Sequence, residues 1–319
     1  MSRVSDFAVL GAGDTVAGYT IDALLGSGSS AEVYRAHRDG AADPVALKVL
    51  HTGPNDRQRV RERFDREFTI ASRLRHPHIV KMYARGEMDP PQVDDRHSAA
   101  SVLWMAMEYI GGVSAADLIA HRPAEPDITM IAQIGAQIAD ALDFAHAREV
   151  LHRDVKPANI MVTMPSDDVH AVLTDFGIAQ LLDDARPLAR NGRVQGSIAY
   201  ASPELLTAQR LSPATDQYAL AASLFELLTG DPPFRRATAF AITHAHLHDP
   251  VPPLTRARPW LPSALNSVFA KALAKDPRTR YETCSAFTDI VTRALRDIPV
   301  PAAPRTRRWP WVRSALHDM

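Results

Sequence analysis

Within the stretch Val150–Ala179, VLHRDVKPANIMVTMPSDDVHAVLTDFGIA, a carboxylate (Asp154), an ammonium (Lys156) and a carboxamide (Asn159) stand close together. A second carboxylate, Asp175, follows two short apolar runs divided by a polar turn. Phosphoryl transfer asks little covalent chemistry of a protein: a carboxylate at the attacking hydroxyl, and oxygen ligands that hold metal ions on the phosphates. Asp154 is the right type for the first task. Asn159 and Asp175 are the oxygen ligands a hard divalent cation takes, and Lys156 sets a cation beside the transferring group.

Such groups need elements to position them. From Tyr19 to Leu50 three β-like runs, Tyr19–Leu25, Glu32–His37 and Val45–Leu50, are punctuated by Gly26-Ser27-Gly28-Ser29-Ser30 and Asp39-Gly40, which predicts a small antiparallel unit. Gly26-x-Gly28 lets backbone amides close over phosphates, since glycine has no Cβ to hold a ligand off. On its own it is equally an ordinary hairpin turn. Asn55-Asp56 can cap a helix running to about Leu74, on which Glu67 shares a face with Phe64, Ala71 and Leu74. Ser114 and Asp127 are predicted N-caps, the second of a long helix to Arg148 that carries the catalytic loop. Pro213 marks another helix start, and the last helices are expected at about Pro262–Leu273 and Glu282–Arg296.

Together these motifs, in this order, resemble the bacterial eukaryotic-like (Hanks-type) serine/threonine protein kinases over about residues 18–297. The resemblance implies an α+β, two-lobed protein-kinase fold: a small antiparallel β lobe with one helix (about 18–108) and a larger, mainly helical lobe (about 113–297). A flexible arm (1–17) would precede it and a Pro/Arg/Trp-containing tail (298–319) would follow. The reaction implied is transfer of the ATP γ-phosphoryl group to protein Ser or Thr hydroxyls with Mg2+, or Mn2+ in its place. Asp154 would orient the hydroxyl and accept its proton, and Lys156 would steady the γ-phosphate. Asn159 and Asp175 would hold the metals. Lys48, in Val45-Ala46-Leu47-Lys48, would pair with the α- and β-phosphates, held by Glu67; Glu62 lies one helix face away. Leu25, Gly26, Ser27, Gly28, Val33, Ala46, Lys48, Met107, Glu108, Ile110 and Met161 would line the nucleotide site. The resemblance further pairs Glu204 with Arg280, makes Asp216 the anchor of the catalytic loop backbone, and assigns the peptide acceptor to Gly196–Glu204. Ala31 stands where a third glycine is usual, and Ser202-Pro203-Glu204 where Ala-Pro-Glu is usual.

One absence bears on regulation. From Ile178 to Gln195 there is no Ser, Thr or Tyr, so Arg153 has no phosphate partner there. Activation without phosphorylation in that span is expected, with Asp183 or Asp184 as a fixed anion.

Composition sets the remaining bounds. The chain has 319 residues, 46% of them hydrophobic, and a formal charge of −1. That suffices for a real core and removes the global electrostatic case for nucleic acid; the resemblance implies protein substrates with Ser or Thr acceptors as partners, with a homodimer left open. The lone Cys284 cannot form an internal disulfide. With no apolar run approaching the ~20 residues of a membrane span and no signal-peptide pattern, a cytoplasmic protein is expected, membrane-associated if the chain is a truncated form. Arg305–Arg313 mixes four arginines with two tryptophans, which suits a membrane surface or a partner groove. His244 and His248 are four apart, but no third ligand has the right context, and an ordinary helix is expected there. The alternative function is a catalytically weak pseudokinase or scaffold, to which only Ala31 points; a small-molecule phosphotransferase is a further alternative.

Overall fold

A computed structural model of the chain describes residues 10–27, 31–41, 43–51, 57–88, 102–120, 125–164, 168–176 and 196–301. The chain divides into two compact units, Met1–Arg75 with Val80–Ile110, and His76–Ile79 with Gly111–Met319.

The first unit is an antiparallel sheet of β1 (Thr15–Val16), β2 (Tyr19–Ser27), β3 (Ala31–Arg38), β4 (Val45–His51), β5 (Met82–Met88) and β6 (Val102–Glu108), in the order β1-β2-β3-β4-β6-β5, with, among the described residues, one helix, α1 (Arg57–Ala71). Because side chains alternate along a strand and directly paired residues share a face, the register sorts the sheet into two surfaces. Tyr34 pairs with Leu47 and Leu47 with Ala106; these join Val16, Tyr19, Ile21, Ala36, Val49 and Val102 in the buried cluster on one face. Gly26 pairs with Val33, Val33 with Lys48, and Ala46 with Met107, so these five share the opposite face. Helix α1 buries Val60, Phe64, Phe68 and Ala71, a three-to-four-residue stripe. Phe64 and Phe68 line a cavity of about 400 Å3 with Leu103, which alternates onto the Lys48 face.

The expected loose arm is corrected from Leu10 onward. Val16 is fully buried, Thr15 pairs with Thr20, and the Leu10 N–H donates to the Tyr34 hydroxyl at 3.1 Å. Ala17 and Gly18 both take positive φ, 51° and 82°, the backbone of a two-residue hairpin turn matched to strand twist. Ala-Gly is a weaker signal for that turn than Asn-Gly, and the strand it starts has only two residues. Gly26 and Ser27 belong to β2 rather than to the turn after it, and α1 ends at Ala71.

The second unit holds a small sheet, β7 (Val113–Ser114), β8 (Ile160–Thr163) and β9 (His170–Leu173), in that order. Its helices are α2 (Ala115–Ala120), α3 (Ile128–His146), α4 (Pro203–Leu206), α5 (Pro213–Thr229), α6 (Ala239–His248), α7 (Leu254–Ala257), α8 (Ala264–Ala272) and α9 (Cys284–Leu295). Asp127 caps α3 by accepting from the Met130 N–H at 2.9 Å. Helix α5 is buried almost all round, as an apolar helix at the centre of a domain must be; it meets α3 where Leu224 reaches the place a Cβ on Gly135 would take, at 3.1 Å. Among the described residues no helix is long and apolar enough to cross a membrane. Gly28, the Glu67 side chain, Asp183, Asp184 and residues 305–313 lie outside the described residues.

Candidate active site

The β8–β9 hairpin accounts for the long spacing between Asp154 and Asp175. Ile160, which opens β8, pairs with Leu173, which closes β9. The loop before β8 and the loop after β9 therefore leave the hairpin at the same end. Cross-bonds join them: the Thr174 N–H and hydroxyl both donate to the Asn159 carbonyl, at 2.9 and 3.1 Å. His152, fully buried, has Nε2 at 2.9 Å from the Thr174 carbonyl and packs edge-on against Phe176 at 4.6 Å. A carbonyl only accepts, so Nε2 carries the proton and Nδ1 accepts the Asp154 N–H at 3.3 Å.

Asp154 is held from within its own loop. Lys156 Nζ lies 2.6 Å and Asn159 Nδ2 3.1 Å from its Oδ2, and the same Asn159 nitrogen donates to the Asp154 carbonyl at 2.8 Å. With the amide nitrogen turned to Asp154, the Asn159 oxygen faces the other way. Pro157 opens the one-turn helix Pro157–Asn159. Arg153 and Asp175 have φ of 68° and 61°, a left-handed conformation that costs a non-glycine residue free energy, least for Asp and Asn.

The Arg153 conformation is sustained from below. Asp216, fully buried in the first turn of α5, accepts the His152 N–H at 2.8 Å, the Arg153 N–H at 2.7 Å and His146 Nε2 at 2.7 Å. Burial alone would raise its pKa; the bond and charge of His146, with the bond from the His152 backbone N–H, outweigh it and hold the carboxyl below its ordinary range. The α5 N-terminus favours the same anion. His146 is a residue that sequence reasoning passed over: on an apolar helix it carries no local sign that a carboxylate 70 residues later will meet it.

A second buried pair braces the segment after the active loops. Arg280 donates to both Glu204 oxygens, at 2.7 and 2.9 Å, and to the Ala214 carbonyl at 2.8 Å. Thr215 adds a bond to Glu204 at 3.0 Å. Burial pushes the Glu204 carboxyl up, but the Arg280 bonds and charge bring it below its usual value. Tyr200 donates to Glu226 at 2.5 Å; burial raises both groups.

Of the other named residues, Lys48 is buried in β4, Met107 is buried in β6 and Leu25 exposes 46% of its surface in β2. Glu108 accepts from Lys81 Nζ at 3.1 Å; Ile110 ends the first unit, and Met161 lies in β8, paired with Ser114. Glu67 lies in α1 and Glu62 on its exposed side, bonded by Gln58 at 3.0 Å. Among the described residues the one three-ligand cluster is Asp143, His146 and Cys284. Both Asp143 oxygens already take the Cys284 and Ser285 N–H groups, each at 2.9 Å, so this is a link between α3 and α9. The His244 and His248 rings lie 4.7 Å apart, tilted at 55°, whereas His246 is buried in the core.

The protein kinase domain family model matches residues 19–291. Mycobacterium tuberculosis serine/threonine-protein kinase PknF is 41% identical over 283 residues, spanning 87% of this chain and 56% of PknF. Serine/threonine-protein kinase PknJ of Mycobacterium bovis is 36% identical over 289 residues, 90% of this chain and 47% of PknJ. The crystal structure of the M. tuberculosis PknI kinase domain superposes with a TM-score of 0.68 at 34% identity, covering 90% of this chain and 100% of that one. The chain thus spans about half the length of the curated relatives it matches.

Proposed function

This chain belongs to the protein kinase family, among the bacterial Hanks-type serine/threonine kinases, and we propose that it transfers the γ-phosphoryl group of ATP to Ser or Thr hydroxyls of protein acceptors. The observation that carries the reading is the single anchored cluster at the end of the β8–β9 hairpin: Asp154, Lys156 and Asn159 on one loop, Asp175 on the other, bonded through Thr174.

The acceptor hydroxyl attacks the γ-phosphorus while the bond to the β-phosphate oxygen breaks and ADP leaves. Asp154 orients the hydroxyl and takes its proton; since Lys156 and Asn159 both bind Oδ2, Oδ1 is the accepting atom. Lys156 shifts part of its charge from Asp154 to the γ-phosphate. The family implies ATP and a divalent metal, and the donor set fits one: a neutral amide oxygen and a carboxylate, both hard, on loops tied together. Asn159 and Asp175 would hold Mg2+, or Mn2+, which neutralises phosphate charge when bound. In the first unit Lys48 positions the α- and β-phosphates. In the same unit Leu25, Gly26, Ser27, Gly28, Val33, Ala46, Met107, Glu108 and Ile110 bind the nucleotide. Gly196–Glu204 takes the acceptor peptide.

The intact mass of the purified protein before and after incubation with Mg-ATP, beside Asp154→Asn, tests this. Added phosphates on Ser or Thr that require Asp154 are expected. No added mass on the protein or on a generic protein acceptor would replace the kinase reading with the scaffold.

A further inference from the structure

His246 is fully buried in the last turn of α6, and both of its ring nitrogens are engaged. Nε2 lies 3.1 Å from the Ala199 carbonyl, and Nδ1 lies 2.8 Å from the Tyr218 hydroxyl of α5. The carbonyl accepts only, so Nε2 holds the proton; Nδ1 then offers a lone pair, and Tyr218 donates to it. Burial, with the charge of Lys275, pushes the imidazole down to about 4, so the ring is neutral near pH 7 and has this one tautomer. Its surroundings are equally fixed. Phe234 meets the ring edge-on at 4.9 Å. Lys275 Nζ donates to the Ala245 and His246 carbonyls, at 3.1 and 2.8 Å, and so holds the C-terminal turn of α6 in place.

Ala199 belongs to the short turn Gly196–Tyr200, and the next residue, Tyr200, donates to Glu226. Two consecutive residues of this turn are therefore pinned to the helical core, one through its main chain and one through its side chain. We propose that His246 is a positioning residue for the protein acceptor: by donating to the Ala199 carbonyl it sets the turn against which the acceptor backbone rests. The inference rests on the reading of Gly196–Glu204 as the acceptor segment. The carbonyl of half-buried Ala199 loses this donor when the imidazole is removed and must find another partner, which displaces the turn while Asp154 and its loop stay tied to Asp216.

The test compares His246→Leu, His246→Gln and wild type. It uses a peptide copied from the protein's own mapped phosphorylation site, with peptide and ATP varied separately and amide hydrogen exchange followed at residues 197–201. Leucine should raise the peptide KM about tenfold, equivalent to about 1.4 kcal/mol, while the ATP KM and kcat change less than about twofold. Exchange should quicken at 197–201 but not along α5. Glutamine, whose terminal N–H can reach the same carbonyl, should restore most of the peptide KM. Equal effects on peptide and ATP, or unchanged exchange at 197–201, would overturn the proposal. Should His246→Leu fail to fold, Tyr218→Phe, which frees the tautomer, should shift peptide KM in the same direction by about threefold; no shift overturns it. If wild type transfers no phosphate, the kinase reading fails, and the exchange comparison alone decides whether His246 pins the turn.

Discussion

Asp216 takes the backbone N–H groups of His152 and Arg153 on its two side-chain oxygens, at 2.8 and 2.7 Å, across more than 60 residues of sequence. Replacing it by Asn leaves one oxygen for these two donors and His146. Each buried donor stranded costs about 1–3 kcal/mol. Asp216→Asn should therefore lose that much stability in chemical denaturation and also lower kcat, because Arg153 can leave its φ of 68°. Full activity with full stability would show that the anchor is dispensable.

The two groups read as doing the chemistry should behave differently from the anchor. Asp154→Asn removes a base rather than core packing, so its melting temperature should match wild type while transfer falls by roughly 10²–10⁴-fold. Lys48→Met should likewise fold and lose nearly all transfer. Circular dichroism melts beside single-turnover rates check both.

The buried carboxylates divide by sign. Glu204 and Asp216 have folded pKa values below their ordinary ones. The unfolded chain therefore takes up protons first on acidification, and their stabilisation is complete above about pH 4.5 and lost as the pH falls through the folded values. Glu226 is opposite: burial raises it, with Tyr200 and Asp231 as smaller influences, so it opposes folding increasingly as pH climbs past its ordinary value. Glu226→Gln should raise the melting temperature at pH 7 and Glu204→Gln should lower it. Melts from pH 3 to pH 7.5 read both; the same direction for the two would refute the assignment. Removing one partner of a buried pair such as Glu204–Arg280 should cost about 3–5 kcal/mol.

Gly112 has no room for a side chain. A Cβ there would sit 2.3 Å from the Val162 carbonyl oxygen in β8, and backbone cannot yield as a flexible side chain can. Gly112→Ala should destabilise the protein by about 1–3 kcal/mol and disturb the β7–β8 pairing that holds Met161. An unchanged melting temperature would contradict this geometry.

Mg-ATP at ~100 times its dissociation constant should add about 2.7 kcal/mol of stability. Asp175→Asn should lose most of that gain with Mg-ATP, whereas ATP with a chelator should give the two proteins similar, smaller shifts.

Much of this molecule could be read from local signals. Alternating apolar residues set strands β2, β3 and β4, Asp127 and Pro213 announced helix starts, and the types and order of Lys48, Asp154, Asn159 and Asp175 pointed to the chemistry proposed above. Each is a property of a few neighbouring residues, so it is legible without the fold. Glu204, Arg280 and Asp216 were legible only through resemblance, because nothing near Glu204 signals an arginine 76 residues away. The hairpin at Ala17–Gly18 was missed because a two-residue strand has no period to read. Tertiary structure alone decided that His146 serves Asp216 and that His246 holds Ala199 with one fixed tautomer. A histidine's role is set by which donors and acceptors burial brings to its two nitrogens, and those partners come from distant turns of the chain.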